Sequence, residues 1–207
     1  MKEKIFIGMK KQEYEMQKKI QNQVGKGKIS SIRIERTPVG EKVIITTTKP
    51  GLVIGKGGEN IQKINLVLKN EFKLENPQVE ISEIQEPLFD AQTIADNIAL
   101  SLERFGPLRF KLIAYRELDK IVKAGALGVE ITLSGKLPSE RSRTWKFAHG
   151  YLSKTGDTTK MVKKATATAH TKPGCVGVKV SIVPPNTKIP DRIEIKKNEI
   201  QRDSKTK

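Results

Sequence analysis

The chain has 207 residues, with 39 Lys and Arg against 23 Asp and Glu, which gives a formal net charge of +16 at pH 7. Its single cysteine, Cys175, excludes an internal disulfide and a cysteine-based zinc site. A chain with this excess of positive charge repels itself unless polyanions or counterions neutralise it, so the composition favours nucleic acid as a partner. A basic surface that serves only solubility is the alternative that charge alone leaves open.

The positive charge is concentrated in the last third of the chain. Residues 1–86 carry 16 Lys and Arg against 11 Asp and Glu, and residues 87–135 carry 6 against 6. Residues 136–207 carry 17 against 6. The distribution favours a protein that meets RNA on several faces over one that binds it at a single motif.

The first elements follow from the apolar periodicity. Residues 9–24 have the spacing of an amphipathic helix that ends at Gly25. Two β-branched runs follow, at 29–34 and 43–47, and residues 37–41 between them have the composition of a hairpin turn.

A glycine loop lies between two short helical patterns. Pro50 opens a helical turn through Ile54, and residues 61–68 place apolar side chains at the spacing of a core-facing helix. A strand is predicted over residues 79–84. The predicted order for this half is therefore helix, strand, strand, helix, glycine loop, helix, strand.

The loop itself fits the pattern I-G-x-x-G-x-x-I, and glycines there allow the backbone to approach a nucleic-acid backbone closely. Its predicted RNA-binding residues are Ile54, Gly55, Lys56, Gly57, Gly58 and Asn60. A plain connecting turn is the alternative interpretation. A nucleotide-binding P-loop is disfavoured because three residues, not four, separate Gly51 from Gly55, and Gly57 replaces the Ser or Thr that would hold magnesium.

The second half predicts two helices, over 88–105 and 108–124, followed by strands around 129–133, 143–152, 161–171 and 176–182. We expect the two helices on one face of a four-stranded antiparallel sheet. The predicted fold class is α+β, with domains at 1–86 and 87–183 and a basic, disordered tail at 184–207.

Basic residues accompany these elements. One helix carries Lys111 and Arg116, and a strand with its preceding loop carries Arg141, Arg143 and Lys146. These five residues are candidates for RNA binding, although charges of this kind often belong to a solvated face. Between base stacking and core packing for Trp145, core packing is favoured, because no paired aromatic strands form a stacking platform.

The sequence offers no catalytic or metal-binding constellation and predicts no cofactor or small-molecule substrate. We expect Cys175 to be a buried, small apolar residue. His149 and His170 have no clear acidic or nucleophilic partner in the pattern, so surface or RNA contacts are favoured for both. No apolar run approaches the length of a bilayer, and none has the pattern of a signal peptide, which predicts a cytosolic protein without membrane contact.

The α-β-β-α-α-β order with GxxG between its small helices resembles a KH domain of the second topological type. The whole chain also resembles, over about residues 4–183, the family of small-subunit ribosomal protein three in its archaeal and eukaryotic branch. The residues that carry this resemblance are Thr37-Pro38, 49–58, Ser134-Gly135-Lys136-Leu137, Lys146-Phe147-Ala148-x-Gly150 and 174–180.

This resemblance implies a structural constituent of the cytoplasmic ribosome that is not an enzyme. It implies binding to ribosomal RNA in the head of the small subunit, with neighbouring head proteins as partners. It also implies that Lys111 and Arg116 contact messenger RNA where the messenger enters, although Leu112 stands where some relatives are expected to carry a further basic side chain.

Two other functions remain open from the residues alone. A free-standing KH regulator of single-stranded RNA would bind a short oligonucleotide through residues 1–86. A nucleic-acid lyase would need a desolvated lysine of lowered pKa as nucleophile, which a sequence does not reveal.

Overall fold

The computed structural model describes residues 2–25, 27–37, 40–72, 74, 76–185 and 187, which form two α+β halves. The first half contains α1 Lys2–Val24, β1 Ser31–Thr37, β2 Gly40–Thr47, α2 Pro50–Ile54, α3 Glu59–Phe72 and β3 Gln78–Glu83. The second contains α4 Ala91–Phe105, α5 Phe110–Lys123, β4 Gly128–Gly135, β5 Arg143–Gly150, β6 Lys163–Thr171 and β7 Gly174–Val183.

The first sheet has the order β1-β2-β3, with β1 antiparallel and β3 parallel to the central β2. Alternate residues of β2, Val43 and Ile45, are fully buried because one face of the sheet receives the helices. Their partners in this core are Met16, Ile20 and Val24 of α1, Val53 of α2, and Ile64 and Leu68 of α3. The first core therefore fixes the position of α2 and α3, which flank the glycine loop.

The second sheet is fully antiparallel with the order β5-β4-β7-β6, and α4 and α5 cover one of its faces. Inward-facing residues of β4 and β7 meet Ile94, Ile98 and Leu102 of α4 in one core. The opposite face carries partly or fully exposed side chains at Thr132, Lys146 and Lys179. This half therefore has a covered side and an open side, and strand alternation assigns each residue to one of them.

The predicted fold class and element order are confirmed, with local differences. α1 begins at Lys2 and not near residue 9. The apolar pattern did not indicate this start, because the core residues of α1 occupy only its C-terminal half. The expectation of a buried Cys175 is wrong, since its thiol is exposed. Val176 and Val178 face the core of β7, so strand alternation directs Cys175 outward.

The division into domains 1–86 and 87–183 stays a prediction. Most of the tail expected at 184–207 lies outside the described residues, which include only 184, 185 and 187 of it. Among the helices described, none has the combination of length and apolar character that crossing a bilayer requires.

The second core can be tested with matched substitutions at a buried residue of α4 and at an exposed residue just before α5. Ile98 is 0% exposed and Leu108 is 77% exposed. We expect Ile98→Ala to lower the free energy of unfolding of this half by about 2–5 kcal/mol, since it leaves a cavity. Leu108→Ala should change it by less than about 0.5 kcal/mol. Urea unfolding followed by the fluorescence of Trp145, the only tryptophan, measures both, and equal losses would contradict this packing.

Candidate nucleic-acid interface

The glycine loop is shaped by backbone conformations that side chains disfavour. α2 starts at Pro50 and ends where Gly55 adopts φ 77° and ψ −179°, a region that only glycine populates readily. Gly57 follows at φ 61° and ψ 18°, and Gly58 has φ 81°. α3 then begins at Glu59. The positive φ angles at all three positions favour glycine, which lets the chain pass from one helix to the next within four residues.

The glycines differ in what surrounds them. A Cβ atom added to Gly57 or Gly58 would meet nothing within 4 Å, so both positions face open space. A Cβ at Gly55 would lie 2.7 Å from the Nδ2 atom of Asn60. That Asn60 amide donates a hydrogen bond to the carbonyl oxygen of Leu52 at 3.4 Å, across the loop. Asn60, predicted as an RNA contact, therefore braces the loop from within.

Lys56 supplies the uncompensated charge at the loop. Its side chain is exposed and forms no salt bridge with any carboxylate of the described residues. The neighbouring Glu59 is instead paired with Lys63 at 2.5 Å, and the hydrogen bond from Lys63 holds the pKa of Glu59 below its usual range. The positive end of the α3 dipole also lies at the loop. The loop surface therefore attracts anions.

Two apolar side chains adjoin the glycine loop. Ile54, the last residue of α2, is 37% exposed, and Leu52 is 50% exposed. Together with the two open glycines they form a surface with a bare backbone and an apolar margin. Such a surface suits a nucleic-acid strand, since phosphates meet the backbone and Lys56 while a base meets the apolar margin.

The structure separates Lys111 and Arg116, which the sequence grouped together. Five residues along a helix correspond to about 140° of rotation, so the two side chains leave α5 on different sides. The Lys111 ammonium lies 4.7 Å from the ring centroid of Trp145 on β5. Arg116 lines a depression next to α4, together with Leu112 of α5 and with Arg109, which lies just before α5. One straight strand of RNA cannot follow both along a single helical stripe.

Trp145 packs as the sequence favoured. Its ring centroid lies 5.4 Å from that of Phe110, and its Nε1 donates a hydrogen bond to the Leu137 carbonyl oxygen at 3.3 Å. Lys111 covers part of the indole. The tryptophan therefore holds Lys111 at the margin of β5 through a cation–π contact.

The basic residues of the β4–β5 region are also divided between faces. Arg143 has the same parity as Trp145 on β5 and belongs to the helix-covered side, whereas Lys146 belongs to the open side. Arg141 lies in the exposed connection between β4 and β5. The predicted set of Arg141, Arg143 and Lys146 is thus not one patch, although all three side chains are exposed and form no salt bridge in the part of the chain described.

Sequence reasoning missed a companion of Lys146 on the open face. Thr132 of β4 pairs with Lys146 of β5 on one side and with Lys179 of β7 on the other. The three residues therefore form a row across neighbouring strands, with the two cations about two strand spacings, roughly 10 Å, apart. The alternation of β7, with valines at 176, 178 and 180, was the signal that could have placed Lys179 outward.

The described residues show no arrangement for metal chemistry. Within them, no group of three or more His, Cys, Asp or Glu side chains is placed to hold an ion. The Sγ atom of Cys175 lies 3.3 Å from Nδ1 of His170 at the exposed end of the β6–β7 hairpin. Both histidines are exposed, as predicted.

Comparison with known families and proteins matches both halves in order. The family described as KH domain matches residues 11–88, and the family described as Ribosomal protein S3, C-terminal domain, matches residues 98–182. The chain belongs to the small ribosomal subunit protein uS3 family. The alternation of helices, glycine loop and strands described above is thus that of a uS3 protein.

Several archaeal proteins named small ribosomal subunit protein uS3 are similar over most of the chain. That of Methanosphaera stadtmanae is 44% identical over 81% of this chain and 66% of its own length. That of Natronomonas pharaonis is 42% identical over 79% and 53%, and that of Haloarcula marismortui 40% identical over 84% and 57%. The chain therefore spans between about half and two thirds of the length of these uS3 relatives.

The loop conformation can be tested by two single substitutions. We expect Gly55→Ala to destabilise the loop by about 1–3 kcal/mol, because alanine disfavours this backbone region and its Cβ displaces the Asn60 brace. Gly57→Asn should cost less, since asparagine tolerates the left-handed helical region and position 57 is open. Hydrogen exchange of amides 55–60 measures the difference. Faster exchange in the Gly57→Asn protein than in the Gly55→Ala protein would contradict the assigned geometry.

Proposed function

We propose that this chain is a structural, RNA-binding constituent of the small ribosomal subunit, located in the cytoplasm as part of the ribosome. One observation carries the proposal. A chain of the uS3 family presents Gly57 and Gly58 to open space beside Lys56, an exposed cation without a partner among the described carboxylates. The names of the relatives and the ordered pair of domain matches support the same function.

The role of the loop is to hold an RNA backbone. Without a Cβ at positions 57 and 58, a sugar or phosphate can reach main-chain amides that a side chain would shield. Lys56 neutralises one phosphate, and the adjacent helix dipole adds to the attraction. Ile54 offers apolar contact to a base, while Asn60 keeps the loop in shape.

The second half anchors ribosomal RNA by charge. Its cations point in several directions: Lys111 and Arg143 lie at the helix-covered margin of β5, Lys146 and Lys179 lie on the open face, and Arg141 lies in a loop. A protein surrounded by folded RNA contacts it through several faces at once. A protein that binds RNA at a single motif needs only one such face. This distribution supports a built-in component.

Family resemblance supplies the finer placement. We infer a position in the head of the small subunit, with neighbouring head proteins as partners and with α5 beside the path by which messenger RNA enters. The separation of Lys111 and Arg116 on different sides of α5 refines this role, since the two side chains would contact different RNA segments. The proposal contains no catalytic step and no cofactor.

A free-standing KH regulator would use the same loop but would not need the second half. The match of that half to the C-terminal domain of ribosomal protein S3 favours the ribosomal function, as do its exposed cations Lys146 and Lys179, which form no salt bridge among the described residues.

The test of the loop compares two substitutions of the same shape. We expect Gly58→Asp to reduce ultraviolet crosslinking between residues 55–60 and ribosomal RNA several-fold, because it places a carboxylate where a phosphate approaches. Gly58→Asn has nearly the same shape without the charge, and both residues tolerate a positive φ. The asparagine variant should therefore retain more crosslinking. Equal crosslinking in the wild-type and aspartate proteins would show that the loop does not contact RNA.

A further inference from the structure

The outer edge of β6 carries main-chain groups that point away from the sheet. β6 is the last strand in the order β5-β4-β7-β6 and pairs only with β7. The N–H group of His170 donates to Oε1 of Glu103 on α4 at 2.8 Å, so it points away from β7. Because the register with β7 is continuous along β6, alternate residues share this direction. The N–H and C=O groups of Lys164, Thr166 and Thr168 therefore also point away from β7.

These outward groups have no partner in the part of the chain that the structure describes. No hydrogen bond joins the main chain of Lys164, Thr166 or Thr168 to another described element, and all three residues are exposed. Glu103 occupies only the end of the edge at His170. A row of unpaired main-chain groups at a sheet edge is a template for the pairing of a further strand.

A cleft of about 400 Å³ adjoins this edge, and it lies between α1 and α4. We call it the β6 cleft. Thr166, Ala167 and Thr168 line it in succession. Successive side chains of a strand point to opposite faces, so a cleft that touches all three lies at the edge of β6 and not over one face of the sheet. The outward main-chain groups thus open into a space that another chain can enter.

Side-chain amides line the opposite wall of the β6 cleft. Gln17, Gln21 and Asn22 of α1 contribute them. The Gln17 amide donates to the carbonyl oxygen of Ile32 at 3.1 Å, whereas the side chains of Gln21 and Asn22 form no hydrogen bond with a described residue. An amide both donates and accepts, as does the outer edge of a peptide strand. The cleft therefore offers peptide-like partners on two sides.

The charge of the β6 cleft is opposite to that of the whole chain. Its described lining includes the carboxylates of Asp96 and Glu103 against the single ammonium of Lys18, although the chain carries a net charge of +16. A phosphate backbone would meet like charge there, whereas a strand with basic side chains would meet opposite charge. Hydrogen-bonding groups and charge together favour a basic polypeptide over RNA.

We propose that the β6 cleft binds an extended basic segment of a second protein by β-strand addition. The main-chain groups of Lys164, Thr166 and Thr168 pair with the segment on one side, and the amides of Gln21 and Asn22 bond to its outer edge. The inference rests on the proposed function, since a constituent of the small subunit is surrounded by other proteins. It adds the surface and the binding mode of one such partner.

The first test adds a fluorescein-labelled peptide of alternating lysine and threonine to the purified full chain. The peptide has nine residues, the length of β6. We expect the amides of Thr166 and Thr168 to exchange with solvent about tenfold more slowly when the peptide is bound, because they gain hydrogen bonds. A peptide with proline in place of threonine has the same charge but lacks those N–H groups, and it should not bind. Replacing its lysines by glutamate should weaken binding.

The second test changes the edge of β6. Thr168→Pro breaks no bond to β7, since the N–H group of Thr168 points outward, but it removes an outward donor and places a ring at the edge. We expect it to weaken peptide binding at least about tenfold, whereas Thr168→Ala keeps the main chain and should bind as the wild type does. Gln21→Ala leaves the sheet intact and should weaken binding about threefold. Lys18→Gln should not weaken it.

Four outcomes would overturn the proposal. They are no binding at about 1 mM peptide, equal binding of the proline peptide, protection of Thr166 and Thr168 by oligouridine but not by the peptide, and wild-type affinity in both Thr168→Pro and Gln21→Ala. Protection of the same amides in the full chain that disappears on removal of residues 188–207 would assign the cleft to this chain's own C-terminal segment and would also overturn it.

The result for the β6 cleft is independent of the glycine loop. Gly58→Asp should bind the peptide as the wild type does, although it lowers crosslinking of the loop to ribosomal RNA. Failure of the peptide to bind would therefore leave the proposed RNA-binding function standing. Loss of loop crosslinking to ribosomal RNA in the wild-type protein would contradict that function without changing peptide affinity.

Discussion

Positive charge without an internal partner is the constraint on which the molecule depends. The chain carries 39 Lys and Arg against 23 Asp and Glu, and several exposed cations, among them Lys56, Arg116 and Lys146, form no salt bridge within the described residues. Like charges on one compact fold repel each other. A polyanion that neutralises them therefore lowers the electrostatic free energy of the chain. Ribosomal RNA supplies such a partner in the function that we propose.

The two sheets distribute this charge in different ways. In the first half, one core buries apolar residues of α1, β2 and α3. Its packing fixes the glycine loop, in which Lys56 lies between the glycines. In the second half, strand alternation sends Lys146 and Lys179 to one face and Arg143 to the other. The first arrangement favours one close backbone contact, and the second favours contacts on several sides.

Sequence patterns were sufficient for the elements and the loop. Among the described residues, periodicity located the five α-helices and the order of the strands along the chain. The I-G-x-x-G-x-x-I pattern located the glycine loop. These features are local, because a helix stripe, a strand alternation or a glycine turn is defined within a few residues. The start of α1 was missed because its first turns bury no periodic core residues.

The side to which each polar residue turns could not be predicted in the same way. Lys111 and Arg116 separate because α5 lies between β5 and α4, and that position depends on packing between elements distant in sequence. The hydrogen bond from the Asn60 amide to the Leu52 carbonyl oxygen also joins two elements across the loop, and the role of Asn60 in RNA binding stays a prediction.

Whether this chain is built into the small ribosomal subunit is measured most directly by sucrose-gradient sedimentation of an extract from its source cells. The gradient should contain low magnesium, which separates the subunits, and should follow a high-salt wash, which removes proteins held by exposed charge pairs alone. We expect the chain to sediment with the small subunit in an amount equal to that of the subunit's RNA. Its recovery at the top of the gradient after the wash would contradict a structural role in the ribosome.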